Sequence, residues 1–436
     1  MIYKNNPFLI SALISFLITH ALSSRAEPTE SFVAQAYVED VFRMDLEDLM
    51  NMEVTTASLR PEKISDAPAS MLVITRRMID ERGYRSFSEI AADLPQFDML
   101  EGDSSGGPVG NRSLFRGLTD NGQRKLLIMV DGIPQNNIST LSSTQWHFES
   151  MLPDLERIEV IQGPGSALYG AQAYAGLIHF ITRDSYQGKG VQVRPFYGEH
   201  NTRGFDLYGG GQITDDLDFS VALLSHDSDG DDGDRYDPGG YWHGIRHIAT
   251  IAEDYDANGN YVTNVPNPLA GQLMDEGFET WQDYKSARGK LRWNNWELGG
   301  FYWQHKEGVA SLFVGYAYNT RSSNYFTEKS GYHLYLNNDW SLNNKWSLNS
   351  RAVYRVTDNP AFLSWEYNYR FTELDRVLST YGKQYYLEEQ VDYQIDESQN
   401  ILFGVKATRN NKAVTVTSLS GSNAHYSTNS SWAIAD

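Results

Sequence analysis

The side chains in this sequence best suited to metal chemistry are oxygen donors in an acidic segment. Four of them alternate along the chain: Asp254, Asp256, Asn258 and Asn260. With Gly259 at the sixth position, the spacing resembles the first half of an EF-hand loop, in which oxygen ligands surround Ca²⁺ at a glycine turn. The twelfth position is Val265, where an EF-hand has a bidentate glutamate. The pattern predicts a Ca²⁺ ion in this loop, and the alternative is an acidic, solvated loop.

Other reactive patterns are few. His243 and His247 are four residues apart, a spacing that would suit a transition metal on one helical turn. Glu366 and Glu373 could serve as the paired carboxylates of a secreted all-β enzyme that acts on carbohydrate. The sequence has no cysteine, which excludes a disulfide scaffold, a thiol nucleophile and a Cys-ligated metal. Because no catalytic constellation is recognisable, we expect a protein that is not an enzyme and has no cofactor beyond Ca²⁺.

The composition narrows the class of protein. The 436 residues include 36 basic and 56 acidic side chains, which give a formal net charge of −20. A general nucleic-acid binder needs a basic face, so that class is excluded. The chain also holds 27 Tyr, 19 Phe, 10 Trp and 36 Gly. This composition is typical of a membrane β-barrel, and it also fits a soluble all-β protein.

The amino terminus resembles a targeting segment. Lys4 precedes an apolar run at residues 8–18. The run is too short to span a bilayer core of about 30 Å as a helix, but it has the length of a signal-peptide core. Ser24 and Ala26 place small residues at the two positions that signal peptidase reads. We predict that residues 1–26 are a signal peptide and that the mature chain leaves the cytoplasm; the alternative is a buried helix.

The elements that must position any site change character along the chain. Up to residue 186 the pattern predicts an α+β domain, with strands at 69–75, 126–130, 158–161 and 177–182 and helices at 77–82 and 86–94. Gly83 is a candidate helix C-cap, and Ser86 is a candidate N-cap with Glu89 three residues later. A turn at Asp131–Gly132 closes the second of these strands.

After Tyr186 the apolar residues alternate with period two, which predicts strands with two unlike faces. Short connections are predicted near 214–216, 294–295, 342–345 and 396–398, and long ones at 225–285, 306–329 and 357–382. Long and short connections alternate, as in a meander that crosses a membrane with short periplasmic turns on one rim. A soluble sandwich has no reason to sort its loops in this way. We therefore predict a transmembrane antiparallel β-barrel.

Three segments of the first domain resemble the plug domain of TonB-dependent outer-membrane receptors. They are residues 111–118, residues 126–134 and the stretch Leu-Glu-Arg-Ile-Glu-Val-Ile-Gln-Gly-Pro-Gly-Ser-Ala-Leu-Tyr-Gly at 155–170. The motif residues are Arg116, Gly117, Asp131, Gly132, Glu156, Arg157, Glu159, Gly163, Pro164, Gly165, Tyr169 and Gly170. The resemblance implies a plug domain followed by a barrel of about 22 strands. We expect tight turns at Gly163, Gly165, Gly170 and Gly176. Ion pairs within the plug or to the barrel wall are expected for Arg116, Glu156, Arg157 and Glu159.

The resemblance also implies a TonB box, a short segment that pairs as a strand with the periplasmic energy transducer TonB. The segment that resembles this box is Glu53, Val54, Thr55, Thr56, Ala57 and Ser58, and the alternative is a plain linker. Residues 27–43 are too few for the extra signalling domain of some relatives, so no sigma-regulator partner is predicted. The family binds ligands where plug loops meet the barrel wall, which implies these ligand-binding residues: Asp103, Ser104, Gln145, Trp146 and His147.

The second half departs from the family in strand number. About 10 strands can be placed where the family has about 22, and the chain ends at Asp436 instead of an aromatic residue. We expect a fragment of a longer receptor, with residues 27–60 as a periplasmic segment, 61–186 as the plug and 187–436 as the first part of the barrel.

The expected function of the parent receptor is energised uptake of a scarce ligand across the outer membrane of a Gram-negative cell. An open sheet of about ten strands would leave unpaired edges in lipid, so this chain alone is not expected to transport. TonB and its inner-membrane motor are the expected partners, with a ferric siderophore as the ligand and cobalamin as the next class. One alternative is a plug-bearing binding protein that does not transport. The other is the secreted all-β carbohydrate-active protein considered above.

Overall fold

The computed structural model describes fifteen stretches of the chain: residues 52–56, 62–67, 69–94, 97–100, 112–115, 125–141, 152–183, 190–230, 251–255, 261–266, 281–308, 326–369, 372–396, 399–420 and 427–435. The chain divides into two units, Met1–Glu53 with Lys63–Ser65, and Val54–Glu62 with Asp66–Asp436. Within the first unit, the backbone N–H of Ile64 donates to the carbonyl oxygen of Met52 at 3.0 Å. The second unit contains a small mixed domain and a large antiparallel sheet.

Short elements precede residue 184. The strands are β1 Glu53–Val54, β2 Glu62–Lys63, β3 Met71–Thr75, β4 Phe97–Leu100, β5 Arg112–Phe115, β6 Leu126–Val130, β7 Ile133–Pro134, β8 Leu155–Ile161 and β9 Gly176–Thr182. The helices are α1 Arg76–Arg82, α2 Phe87–Ala92 and α3 Ser166–Tyr169, with 3-10 turns at Ile64–Asp66 and Ala171–Ala173.

Longer strands follow. They are β10 Gly190–Tyr197, β11 Arg203–Thr214, β12 Leu217–Ser228, β13 Ile251–Tyr255, β14 Tyr261–Pro266, β15 Gln282–Trp293, β16 Trp296–Gly308, β17 Phe326–Asn343, β18 Trp346–Tyr369, β19 Thr372–Gln394, β20 Asn400–Ser420 and β21 Ser427–Ala435. Among the described residues, no helix combines the length and the apolar character needed to cross a membrane.

The core of the small domain is a five-stranded sheet in the order β3-β8-β9-β6-β7, in which only the β6–β9 pair is parallel. β6 is buried along its whole length because the sheet is covered on both faces. Its alternate residues enter two hydrophobic clusters: Ile128 packs with α2 residues on one face, and Met129 packs with Leu177 on the other. The bounds of β6 are those predicted for the strand at 126–130.

Local capping sets the bounds of the two longer helices, and the caps at Gly83 and Ser86 are the predicted ones. The Thr75 side chain accepts from the backbone N–H of Met78 at 3.2 Å and begins α1, which ends at Gly83 with φ 67°. The Ser86 hydroxyl accepts from the N–H of Glu89 at 3.2 Å and begins α2. A side-chain acceptor at the start and a left-handed glycine at the end satisfy backbone groups that a helix leaves unpaired.

The large sheet has ten antiparallel strands in the order β10-β11-β12-β15-β16-β17-β18-β19-β20-β21, and β13 pairs with β14 separately. Within this sheet each strand pairs with the next sheet strand along the chain, as a meander requires, and β13 and β14 fall in the connection between β12 and β15. Within the described residues the sheet is open, with β10 and β21 at its edges. This is the predicted plug-like domain followed by an incomplete barrel of about 10 strands.

The two faces of the large sheet differ as a membrane strand requires. Along β17, Leu334 and Leu336 are exposed, whereas His333 and Asn337 are buried. The exposed face is thus apolar and the covered face is polar, the reverse of a soluble protein. Such alternation is typical of a sheet that faces lipid on one side and a polar lumen on the other.

Tryptophans mark the rim that carries the short turns. Trp293 and Trp296 flank the turn at 294–295, and Trp340 and Trp346 lie on either side of the turn at 344–345. All four side chains are more than two-fifths exposed. Exposed aromatic residues at one level of a lipid-facing sheet are typical of the membrane–water interface.

One predicted connection is wrong. Residues 357–382 were expected to form a long loop, but β18 and β19 stay paired out to Tyr369 and Thr372. Pro360 favours the loop prediction, because proline cannot donate to a strand ladder. The structure accommodates it at a register shift between Asn359 and Leu363, so the hairpin continues beyond the proline. The predicted turns at 214–216, 294–295 and 342–345 lie between paired strands, as expected.

Candidate functional site

A buried carboxylate at the centre of β8 organises the candidate site. Glu159 is 0% exposed and lies between the buried apolar residues Ile158 and Val160. A buried carboxylate is costly unless charge and hydrogen bonds compensate it. The Nε of Arg157, two residues earlier on the same strand, donates to Glu159 Oε1 at 2.7 Å. The other carboxylate oxygen, Oε2, binds a segment far away in sequence.

That segment is Thr55–Thr56, which directly follows β1. The backbone N–H groups of Thr55 and Thr56 donate to Glu159 Oε2 at 3.2 and 3.0 Å. The Thr56 hydroxyl donates to the same oxygen. Thr56 is fully buried, so these bonds are shielded from water. Glu159 therefore binds the backbone of two residues within the predicted TonB box.

His179 completes the cluster from the neighbouring strand. It is the register partner of Glu159 across the β8–β9 pair. The backbone N–H of Gly132 donates to His179 Nε2 at 2.8 Å, and since an amide can only donate, Nε2 carries no proton. The proton of the neutral ring is therefore on Nδ1, which donates to the Thr56 hydroxyl at 2.9 Å. The Thr56 hydroxyl in turn donates to Glu159.

Helix α3 supplies a further bond to the same segment. The Tyr169 hydroxyl donates to the carbonyl oxygen of Thr56 at 2.8 Å. Gly170 ends α3 with φ 81°, and Gly163 precedes the helix with φ 151°, so these two predicted turn glycines occupy conformations that favour glycine. Gly176 is not a turn residue as predicted, because it begins β9 opposite Leu126. Thr56 is thus held through its amide, hydroxyl and carbonyl groups.

The Asp131–Gly132 turn connects this cluster to the large sheet. Both residues have positive φ, 46° and 78°, as in the tight hairpin turn that an Asp-Gly pair favours. Asp131 accepts from the backbone N–H and the hydroxyl of Thr182 at 2.9 and 2.8 Å. Its Oδ2 also lies 3.0 Å from the Nζ of Lys290 on β15.

More polar contacts join the small domain to the covered face of the large sheet. Arg288, also on β15, forms an ion pair with Asp154 in which both side chains are buried. The Ser139 hydroxyl donates to the carbonyl oxygen of Tyr381 at 2.7 Å. The Nη2 of Arg355 donates to a backbone carbonyl of the same loop, that of Asn136, at 2.9 Å. Polar contacts of this kind can separate with less loss than an apolar interface, because water can replace the lost partners.

The charge states follow from burial and neighbours. Burial lowers the pKa of His179 to about 4, against the opposing effect of Glu159 and Asp131, so the ring is neutral at pH 7. Burial by itself would raise the pKa of Glu159, but Arg157 and the hydrogen bond from Thr56 outweigh it, and the pKa lies below its usual value. Burial likewise opposes ionisation of Asp131, but Lys290 and Arg288 hold its pKa far below the ordinary range.

The structure covers part of the predicted site. Glu53 is exposed, Val54 is buried, and Ala57 and Ser58 lie outside the described residues. Within the motif, Arg157 pairs with Glu159 inside the domain as expected, and Glu156 is half-buried. The motif residues Arg116 and Gly117 and the predicted ligand-binding residues also lie outside the described residues, the latter being Asp103, Ser104, Gln145, Trp146 and His147.

The calcium prediction also falls mostly outside the described residues. The backbone of Asp254 belongs to β13, where it pairs with Val262 of β14. The other three predicted ligands, Asp256, Asn258 and Asn260, are not described. The Ca²⁺ site stays a prediction.

Sequence reasoning did not identify His179, Thr182, Lys290 or Arg288 as site residues. One signal was available for the first of these. His179 interrupts an apolar run, and Glu159 interrupts another, so each strand carries one polar residue that needs a buried partner. The lysine and the arginine could not be assigned, because alternation along β15 does not say which plug residue each faces.

Comparison with known proteins agrees with this architecture. Residues 63–177 match the family model described as TonB-dependent Receptor Plug Domain. The chain is 32% identical over 199 residues to the iron-regulated outer membrane virulence protein of Vibrio cholerae, a match that covers 44% of this chain and 28% of that protein. It is 33% identical over 141 residues to the vitamin B12 transporter BtuB of Vibrio vulnificus, with 32% and 22% covered.

Solved structures show the same fold over most of the chain. The siderophore receptor PiuA from Acinetobacter baumannii superposes with a TM-score of 0.55 at 14% identity, over 87% of this chain and 50% of that one. The pyoverdine receptor FpvA from Pseudomonas aeruginosa gives 0.55 at 12% identity, over 88% and 54%. The chain thus spans about half the length of these structures and less of the curated relatives.

Proposed function

We propose that this chain belongs to a TonB-dependent outer-membrane receptor, and that the full-length receptor serves energised uptake of a scarce ligand across the outer membrane, in which it resides. The family consists of receptors and transporters, and we further propose that the chain has no catalytic activity of its own. Its partners in this proposal are TonB, with the inner-membrane motor that drives it, and a small ligand bound from outside.

The observation that carries the proposal is the binding of Thr55–Thr56 by Glu159. A strand that pairs with TonB must offer free backbone N–H and C=O groups. In this structure, both backbone N–H groups donate to Glu159, and the Thr56 carbonyl accepts from Tyr169. The segment is therefore held in a state that excludes pairing through these groups. Release of the segment from Glu159 would make the groups available to TonB.

The proposed ligand class is taken from the relatives of this chain. One curated relative is named as iron-regulated and another as a vitamin B12 transporter, which supports a ferric siderophore first and cobalamin second. The polar inner face of the sheet and its contacts with the small domain support a plugged lumen. The buried ion pairs at this interface favour a receptor over a secreted carbohydrate-active protein, in which no domain would need to move.

Uptake of radioactive iron chelates and radioactive cyanocobalamin tests the proposal with the full-length receptor, expressed in cells that lack their own receptors for both. Thr55→Pro removes the backbone N–H and should abolish uptake, because a proline cannot donate to a paired strand. Thr55→Ala keeps that N–H and should retain uptake. Equal uptake by the two variants, or no uptake of either ligand class by the unmodified protein, would contradict the proposal.

A further inference from the structure

We propose that His179 makes release of the Thr55–Thr56 segment depend on the ion pair between Asp131 of the plug and Lys290 of the barrel wall. In this scheme His179 is a positioning residue, since it acts on the box through Thr56. The inference rests on the proposed function and adds the route by which a change at the wall reaches the box.

The first link fixes the Asp131–Gly132 turn to the wall. Lys290 and Asp131 are almost buried, with side chains 9% and 14% exposed, and Nζ lies 3.0 Å from Oδ2. A buried ammonium and a buried carboxylate each need the other, because separation leaves an uncompensated charge. Thr182 binds the same carboxylate and holds it at the end of β9. A displacement of β15 therefore displaces the Asp131–Gly132 turn with it.

The second link joins the turn to His179. Gly132 directly follows Asp131, and its N–H donates to His179 Nε2 at 2.8 Å. The guanidinium of Arg351, from β18, occupies the space where a side chain at position 132 would lie. The turn thus lies between the wall and the imidazole. A displacement of about 1 Å takes this hydrogen bond beyond its normal length.

The third link joins His179 to the box. As long as Gly132 donates to Nε2, the ring proton stays on Nδ1 and is directed at the Thr56 hydroxyl. The hydroxyl can then give its own proton to Glu159 Oε2. Without the Gly132 bond, a buried acceptor is left unpaired, and the ring must rotate, change tautomer or bind a proton. Each of these changes breaks the hydrogen bond from His179 Nδ1 to the Thr56 hydroxyl, and with it the chain of hydrogen bonds that leads to Glu159.

The test uses the absence of cysteine from the chain. A single cysteine introduced by Thr55→Cys carries a spin label, and the spectrum in outer-membrane vesicles gives the ratio of mobile to immobile label. Lys290→Met should raise this ratio about tenfold, the effect of losing roughly one buried hydrogen bond. Arg288→Met is the matched control, because it removes a second positive charge that favours ionisation of Asp131, but its ion pair is with Asp154 and not with the turn. It should change the ratio less than about twofold.

Two further variants separate coupling from general loosening. His179→Leu should raise the ratio by itself, and Lys290→Met added to it should have little further effect. His179→Gln should restore the response to Lys290→Met, since an amide can accept from Gly132 and donate to Thr56. Equal effects of Lys290→Met and Arg288→Met, or effects of Lys290→Met and His179→Leu that multiply, would overturn the inference.

Insertion of each variant into the outer membrane and its binding of TonB are measured separately. If Lys290→Met fails to reach the outer membrane, Asp131→Glu keeps the charge pair while it displaces the turn. It must then raise the ratio with His179 present and not in the His179→Leu background. Binding of the purified periplasmic domain of TonB to the same vesicles tests the proposed function. No binding to any variant refutes that function, whereas binding that is independent of Lys290 refutes only the coupling.

Discussion

Glu159 and Thr56 lie 103 residues apart in the chain, yet the buried carboxylate of one accepts both the amide and the hydroxyl protons of the other. Thr56 and Glu159 are both 0% exposed, so each satisfies polar groups that the other has buried. The pair therefore stabilises both the small domain and the bound state of the Thr55–Thr56 segment. A substitution of Glu159 should therefore change how firmly Thr56 is bound.

Removal of the Glu159 charge should free the box. In Glu159→Gln the side chain can still accept, but its bonds to Thr55 and Thr56 lose their ionic character, and Arg157 loses its counter-ion. Hydrogen bonds to charged groups contribute about 1.5–3 kcal/mol each, so amide exchange at residues 55 and 56 should become roughly tenfold to hundredfold faster. Hydrogen exchange read by mass spectrometry measures this rate. Glu89→Gln, which loses only an exposed pair with Arg85, should leave it unchanged.

Acidification should also release the box. Since burial lowers the pKa of His179 to about 4 from an ordinary 6.5, the released state binds a proton more readily than the bound state. Release is therefore favoured increasingly as pH falls from about 6.5 to about 4. Glu159 and Asp131 face the ring and favour its charge, while Arg157 and Arg351 oppose it.

The same exchange measurement, or the spin-label ratio at position 55, checks this pH dependence. In His179→Gln the response between pH 6.5 and about 5 should disappear. The carboxylates Glu159 and Asp131 have lowered pKa values, so the stability that they contribute is intact above their ordinary pKa values of 4.5 and 3.8 and is lost as pH falls below these. An unchanged pH profile in His179→Gln would assign the response to another group.

The Asp131–Gly132 turn should tolerate no side chain at its second position. Gly132 has φ 78°, and an added Cβ would meet the Arg351 guanidinium. Gly83 offers a matched control, since it has φ 67° and open space around it. Gly83→Ala should cost about 1 kcal/mol of unfolding free energy from backbone strain, and Gly132→Ala about 1–3 kcal/mol more. Thermal unfolding in detergent compares the two, and equal losses would show that Arg351 moves aside freely.

The outer face of the sheet should reject charge according to depth in the bilayer. Leu334 lies in the middle of β17, whereas Leu342 adjoins the turn at 344–345, and both side chains are more than half exposed. A lysine at the bilayer centre costs about 2–4 kcal/mol, and one near the interface about 0–1 kcal/mol. Leu334→Lys should therefore reduce the amount of folded protein in the outer membrane, and Leu342→Lys should not. Equal yields would contradict the assignment of this face to lipid.

Local pattern predicted much of the fold but little of the site. The strand at 126–130 and the caps at Gly83 and Ser86 follow from neighbouring residues alone, and the structure agrees with them. The cluster around Glu159 depends on residues from three distant parts of the chain. A polar residue within an apolar strand indicates that a buried partner exists, but spacing does not identify the partner.

We propose that TonB binds the segment at 53–56 after its release from Glu159. Disulfide cross-linking in intact cells tests it, with Thr55→Cys on this protein and a series of single cysteines along the carboxy-terminal strand of TonB. We expect a cross-link at position 55 that strengthens in Glu159→Gln, and none from the exposed control Ser70→Cys. Equal cross-linking from both positions, or none from position 55 while uptake proceeds, would contradict it.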